Sequence, residues 1–277
     1  MTVRAPRGSS RRTSTRKTEP RPRSRAELDG ERLQKAIATL GLASRREAEV
    51  WIRAGRLTVN GRPATLGQRV RASDHIQLDG RAIRQRAPAA ERQVFICHRS
   101  SGEALAGASA TPERVSLTER LPRGAGRRFI AVSPMPRVDG GLELVTADGA
   151  LAQQLQRSVQ HLETAFSVRV RGELEEEQLA RVREGALDSG ETIAVLGLDA
   201  EGGEGSNRWY TLITRGASGK DVRQLFERTG ALVSRILRTR LGNIALERSL
   251  ARGQFRRLTA VELDTLLGTK SERSSDP

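Results

Sequence analysis

ERLQKAIATLGLASRREAEVWIRAGRLTVNG, residues 31–61, is the stretch whose reading decides the fold. Leu33, Ile37 and Leu40 recur at helical spacing, and Gly41 follows as a residue that tolerates the positive φ of a helix stop. Ser44 and Glu47 then form a capping box, the hydroxyl accepting a backbone N–H while the carboxylate reaches back. The spacing predicts a second helix that buries Ala48, Trp51 and Ile52. Its first turn carries Arg45 and Arg46, so free amides, the helix dipole and two guanidiniums converge where a phosphate can sit. Arg53 follows on the same face, and Arg56 comes just after the Gly55 stop. Leu57 and Val59 alternate with polar residues as a short strand. Asn60-Gly61 is a strong hairpin signal, and a later strand at 75–78 meets a second such turn at Asp79-Gly80.

Working outward, the chain is strongly basic. Its 277 residues carry 48 Lys and Arg against 33 Asp and Glu, a net charge of +15. That excess favours a polyanionic partner bound in a steeply salt-dependent way. A membrane surface is the rival polyanion, but there is no long apolar run and the basic segments lack a wide apolar face. Arginine outnumbers lysine 44 to 4. Arginine suits bidentate phosphate contact, yet genomic base composition produces the same bias, so the ratio carries little weight. The single cysteine, Cys97, rules out an internal disulfide framework and fits a reducing, cytoplasmic setting. It falls in the apolar run 94–97, where a buried thiol is expected rather than a nucleophile.

Residues 1–29 are polar and arginine-rich, from Arg4 to Arg25, and are expected to be a disordered tail adding nonspecific affinity for the polyanionic partner. A transit peptide is the lesser alternative, because apolar residues are nearly absent. The first, basic module is placed at 30–83, a linker at 84–91 with Pro88, a second domain at 92–266 and a disordered tail at 267–277. The second domain reads as α+β, with strands at 93–98, 129–132, 143–145, 166–170, 192–198 and 209–214. Helices are expected at 150–156, 175–184 and 220–228, the last with an apolar stripe of Val222, Leu225 and Phe226 and a stop at Gly230.

The run I-x-x-L-G-L-x-S-R-R, then I-x-x-G-R, then V-N-G resembles the alpha-L RNA-binding motif. That motif is shared by a small-subunit ribosomal protein, tyrosyl-tRNA synthetases and several rRNA pseudouridine synthases. The resemblance implies RNA contact by Arg45, Arg46, Arg53 and Arg56, with Arg32 and Lys35 as secondary contacts. The blocks ERLP at 119–122, FIAV at 129–132, GLELVTADG at 141–149 and FSVRVRGEL at 166–174 follow in order. NRWYTLIT at 207–214, KDVRQLFERTG at 220–230 and VSRILRTRLGNIAL at 233–246 continue the series. Together they are similar to the catalytic domain of the bacterial rRNA pseudouridine synthases. The resemblance implies a mixed, largely antiparallel sheet flanked by helices, structured RNA (most of all rRNA) as partner, a monomer, and chemistry without cofactor or metal. In that chemistry a uridine is flipped from the RNA, and an ionised, firmly positioned aspartate breaks its glycosidic bond before a carbon–carbon bond replaces it.

The sequence departs from the family where that aspartate belongs. The family motif G-R-L-D-x-x-T-S-G-L-L, laid without gaps, falls on Ser133, Pro134, Met135 and Pro136 for G-R-L-D. Proline has no acid–base capacity. Arg137-Val138-Asp139 restores the R-x-D order three residues later, at the expense of two compensating length changes, so Asp139 is the alternative nucleophile or else a turn aspartate before paired glycines. Phe166 stands where the family has tyrosine in the substrate pocket, and the entry motif H-K-P-x-G reads HRSSG at 98–102. Arg223 matches the family's arginine near the third helix and would border the cleft, while Arg235, Arg238 and Arg240 would lie near one edge as backbone contacts. These losses, beside a well-kept RNA-binding module, point to retained binding and relaxed catalysis, with an active synthase using Asp139 as the alternative. His75, His98 and His161 are too scattered for a metal site.

Overall fold

The computed structural model describes residues 30–83, 93–105, 116–122, 128–203 and 205–268. The basic tail, the linker and the segment after 268 lie outside the described residues.

The first module comprises β1 (Glu31–Arg32), α1 (Leu33–Thr39), α2 (Arg45–Arg53), β2 (Leu57–Val59), β3 (Arg62–Pro63), β4 (Arg69–Val70), β5 (Ile76–Leu78) and β6 (Arg81–Ile83). Helix α1 stops where Gly41 turns to φ +69°, and α2 opens on the expected capping box between Ser44 and Glu47. Leu33, Ile37, Ala48 and Ile52 from the helices close over Leu57, Val59 and Ile76 from the sheet, with Trp51 packed at the edge of that core. Each buried Leu, Ile or Val among them contributes about 1.5–3 kcal/mol. The sheet has the order β3-β2-β5-β6. Its hairpins turn at Asn60-Gly61 and Asp79-Gly80, where all four residues have positive φ, the geometry that matches the right-handed strand twist.

The second domain comprises β7 (Val94–Arg99), a 3₁₀ turn at Leu117–Arg120, β8 (Ile130–Ala131), β9 (Gly140–Thr146), α3 (Gly149–Val159), β10 (Glu163–Arg171), α4 (Glu176–Glu184), β11 (Ala194–Gly202), β12 (Asn207–Arg215), α5 (Gly219–Glu227), β13 (Leu232–Leu241), β14 (Ile244–Ala245), β15 (Phe255–Arg257) and α6 (Ala260–Leu267). The main path of its sheet runs β11-β12-β10-β13-β9-β7-β15, with β14 added to β13 and β8 to β9. Of these pairings β13–β9 is parallel and the rest are antiparallel, so the sheet is mixed and the class is α+β, as expected.

Two apolar layers hold it. One gathers Val182 of α4 and Val222, Leu225 and Phe226 of α5 against Phe166, Val168 and Tyr210. The other gathers Leu151 and Leu155 of α3 and Leu266 of α6 against Val94, Leu142 and Leu144. Strand β9 is buried at every residue, which makes it the axis of the domain. Strand β13 and helix α6 were not read as elements from the sequence. The arginines of β13 mask its alternation, and α6 closes the expected domain, running one residue past its end. Its last residues, Leu267 and the capping Gly268, stand where a disordered tail was expected to begin.

Candidate functional site

In the first module Arg45 and Arg46 project from the first turn of α2, exposed and without a hydrogen-bond or ion-pair partner among the described residues, as does Arg32 beside α1. The other expected contacts are partly engaged within the module. Lys35 pairs with Glu31 at 2.7 Å and Arg53 with Glu49 at 3.9 Å, both across one helical turn at the surface. Arg56 grips Asp79 through Nε at 2.9 Å and Nη2 at 2.5 Å, and its guanidinium lies over the Trp51 ring. The hydrogen bond from Arg56 holds the Asp79 carboxyl below its usual range. Arg56 therefore links the hairpin to α2, whereas Arg45 and Arg46 stand ready for an anion.

In the second domain the stretch that the sequence aligns with the family's aspartate motif leads from Ser133 to Asp139. Pro136 offers only its carbonyl, which accepts from Arg99 Nη2 at 2.8 Å. Asp139 turns inward at the mouth of β9. Its Oδ1 accepts from Arg223 Nη2 at 2.5 Å and from the Ile236 N–H at 2.9 Å, and its Oδ2 accepts from Arg223 Nε at 3.2 Å. The side chain is 0% exposed. Arg223, on α5, also donates to Glu227 and to the Val233 carbonyl. Burial pulls its pKa down, but the hydrogen bonds to Asp139 and Glu227 outweigh that and raise it. The structure thus brings together Asp139 and Arg223, and the arginine is no free surface residue.

Phe166 lies on β10 between Leu212 of β12 and Arg238 of β13. Its ring is fully enclosed in the core that holds Met135, Tyr210 and Phe226, with no face open to a stacked base.

Arg238 requires a correction. Expected near an edge as an RNA-backbone contact, it is 1% exposed, because β13 runs through the middle of the sheet and its side chain points inward at that register. It donates to Glu143 Oε2 at 3.1 Å, to the Leu142 carbonyl at 2.8 Å and to the Ser133 hydroxyl at 3.3 Å. Burial lowers its pKa, the like charge of Arg99 adds to this, and Glu143 opposes it. Arg99 donates to Glu143 Oε1 at 2.9 Å and to the carbonyls of Glu103, Met135 and Pro136. Glu143 in turn accepts from the Met135 N–H at 2.9 Å. Two buried arginines and one buried glutamate therefore staple the loop by its own backbone. The sequence reading missed this triad, and its available signal was a lone glutamate inside the apolar run 142–145. Of the other edge candidates, Arg240 donates to the Gly242 carbonyl and lies 3.8 Å from Glu163, and Arg235 lines a small recess. Cys97 is a buried thiol as expected, pushed up to about 12 by desolvation and the nearby Glu143.

A small helical module with arginines that have no partner among the described residues is thus followed by a mixed sheet in which a buried aspartate is paired with an arginine. Residues 31–76 match the S4 domain family. Ribosomal large subunit pseudouridine synthase B of Pseudomonas aeruginosa is 41% identical over 241 residues, covering 86% of this chain, and the chain spans 62% of that protein's length. The protein of the same name from Salmonella typhimurium is 35% identical over 241 residues, covering 86% of this chain and 82% of its own. A crystal structure of a pseudouridylate synthase superposes with a TM-score of 0.55 at 22% identity, covering 86% of this chain and all of that one, which shows the shared fold. The chain belongs to the ribosomal RNA pseudouridine synthase family.

Proposed function

We propose that this chain is an RNA-binding member of the family that holds structured rRNA, or a ribosome-assembly intermediate, without isomerising uridine. One observation carries the reading: the carboxylate nearest the family's aspartate position is Asp139, and it is fully enclosed with both oxygens occupied. A nucleophile or base must touch the substrate. Asp139 instead fixes the start of β9 to β13 and α5, as a structural carboxylate does. Pro136, at the gapless position, supplies no acid–base group, and its loop is held by Arg99 and Glu143. The unpaired Arg45 and Arg46 at the N-terminus of α2 support RNA binding. The protein acts as a monomer in the cytoplasm, with no cofactor.

The second reading, an active pseudouridine synthase, is favoured by the same ion pair. Arg223 holds Asp139 in place through two hydrogen bonds, and the family's chemistry needs a firmly positioned carboxylate. It requires the loop to open so that a flipped uridine reaches Asp139 and Phe166.

Mass-spectrometric mapping of rRNA pseudouridines in cells with and without the protein separates the two. The proposal expects identical maps, together with salt-sensitive binding of structured rRNA fragments by the purified protein. A pseudouridine that disappears on deletion, and returns with the wild-type chain but not with Asp139→Asn, overturns it.

A further inference from the structure

Strand β11 is the last strand on its side of the sheet: β12 covers one edge, and no backbone group pairs with the other among the described residues. Such an edge offers free N–H and C=O groups that another extended segment can complete. Register shifts at Val195/Gly197 and Ala200/Gly202 confine the regular part to 197–200. A ladder there is short, so it needs a further attraction to hold.

Charge supplies that attraction. Residues 173–204 carry ten acidic side chains against two arginines, a net charge of −8 in a chain of +15. Several are neutralised locally: Glu176 by Arg183, Glu177 by Arg181 and Asp188 by Arg228. Asp199 on β11 has no hydrogen-bond or ion-pair partner among the described residues, and Glu201 there meets only the Thr211 hydroxyl. Thr211 lies opposite Asp199 on β12, so both carboxylates stand on one face of the edge. Two copies of β11 laid side by side would oppose like charges, which is unfavourable across a strand pair. The edge therefore fits an extended, basic segment.

Residues 7–19, RGSSRRTSTRKTE, have that chemistry. They hold five cations and one glutamate, and they lie between Pro6 and Pro20, so every residue keeps the backbone donor a ladder needs. Thr13, Thr15 and Thr18 favour extended backbone. The distance is short enough. Arg128, just ahead of β8, donates to the Ala43 carbonyl at 3.4 Å, which puts the first module on the β8–β9 side of the sheet. From β9 the path runs through β13, β10 and β12 to β11, about 19 Å at ~4.8 Å per strand. Residues 20–29, fully extended, span up to about 33–36 Å.

We propose that residues 7–19 add to the free edge of β11 as a further strand in the RNA-free protein, and that bound RNA draws them away. The docking does not depend on the RNA-binding reading above; the release rests on it.

The test follows hydrogen–deuterium exchange over 194–202 in the full-length protein at low salt. Three variants accompany the wild type. Arg11→Ser/Arg12→Ser/Arg16→Ser removes tail charge. Ser14→Pro/Thr15→Pro keeps the charge but removes a ladder donor in either register, since successive N–H groups point to opposite edges. Asp199→Asn/Glu201→Gln removes the charge of the edge. The wild-type β11 amides are expected to exchange roughly two- to tenfold more slowly than in any variant, the worth of one net hydrogen bond. Added salt, or a structured rRNA fragment, is expected to bring the wild type to the faster rate. Equal exchange in wild type and all variants overturns the docking, and a proline variant as slow as wild type overturns strand addition. Protection that rises with protein concentration and survives the tail substitutions assigns the edge to a second copy and overturns the proposal. A β11 that stays protected with RNA bound overturns the release. A chain that binds no RNA overturns the proposed function and the release with it, while the docking still stands or falls on the exchange rates. Should the edge variant fail to fold by circular dichroism, the two tail variants decide the docking.

Discussion

Asp139 and Arg223 meet in a two-pronged ion pair, Oδ1 2.5 Å from Nη2 and Oδ2 3.2 Å from Nε, with the carboxylate sealed from solvent. The pair joins three elements, because Oδ1 also takes the Ile236 N–H of β13 while Arg223 sits on α5. Removing one partner of such a pair leaves an uncompensated charge, which costs roughly 3–5 kcal/mol. Asp139→Asn can keep the Ile236 hydrogen bond but abandons Arg223. For a chain of this size about 2–4 °C accompanies each kcal/mol, so a fall in Tm on the order of 6–20 °C is expected. Arg223→Gln should fall comparably, and the double variant by clearly less than the sum. RNA affinity measured well below these Tm values should not change. Additive losses in the thermal melts would mean that the pair does not hold the domain.

The buried triad sets a second prediction. Among the described residues Glu143 is the one carboxylate paired with Arg99 and Arg238, and all three are within 1% of full burial. Glu143→Gln leaves two desolvated cations facing each other and should destabilise by roughly 3–5 kcal/mol. It also removes the acceptor for the Met135 N–H, so the loop should loosen. Arg137 is an exposed trypsin site in that loop. Trypsin is expected to cut there much faster in the variant than in the wild type, and equal digestion rates would contradict the stapling.

In the first module the free and the engaged arginines should separate experimentally. Arg45→Gln/Arg46→Gln removes two unpaired charges from the start of α2 and should lower the salt slope of RNA binding by about 1–2, with little change in Tm. Arg56→Gln also breaks the Asp79 clasp and the contact over Trp51, so it should lower the stability of the module as well as binding. Equal Tm losses in the two variants would show that the distinction is wrong.

The local grammar of the first module was legible because each signal is short-range. The Ser44–Glu47 box, the Gly41 stop and the Asn60-Gly61 turn all declare themselves within a few residues and reappear in the structure. The second domain was harder, since its decisive contacts join residues about 40 to 105 positions apart, as with Arg99 to Glu143 and Arg238 to Ser133. An arginine in sequence looks solvated whether it lies at an edge or, as Arg238 does, in the middle of a sheet. Gly140-Gly141 shows the same limit. After Asp139 the glycines suggest only a turn, but a Cβ on Gly140 would stand 2.5 Å from the Arg99 carbonyl oxygen, and one on Gly141 would collide with the Arg238 backbone. Their role is to let β7 and β13 close on the start of β9. Gly140→Ala should therefore be strongly destabilising, and a normal melting curve for it would refute that packing.

The last prediction concerns acid. Glu262, in the first turn of α6, receives Arg256 Nη1 at 3.0 Å and Nη2 at 2.8 Å and the Thr259 N–H at 2.8 Å. The Arg256 hydrogen bonds, helped by Thr259, depress its carboxyl from 4.5 to about 2 against the opposing effect of burial. A depressed folded pKa means that the contribution is complete above about 4.5 and is lost as pH falls through about 2. The pair is reached by solvent, so its worth is limited to about 0.2–1 kcal/mol, or at most about four degrees of Tm. Glu262→Gln should therefore melt slightly below wild type at pH 7. The gap should narrow between pH 4.5 and 2 and vanish below that window. A deficit that persists unchanged at the acid end would assign the effect to the lost helix cap at Thr259 and not to the charge of Glu262.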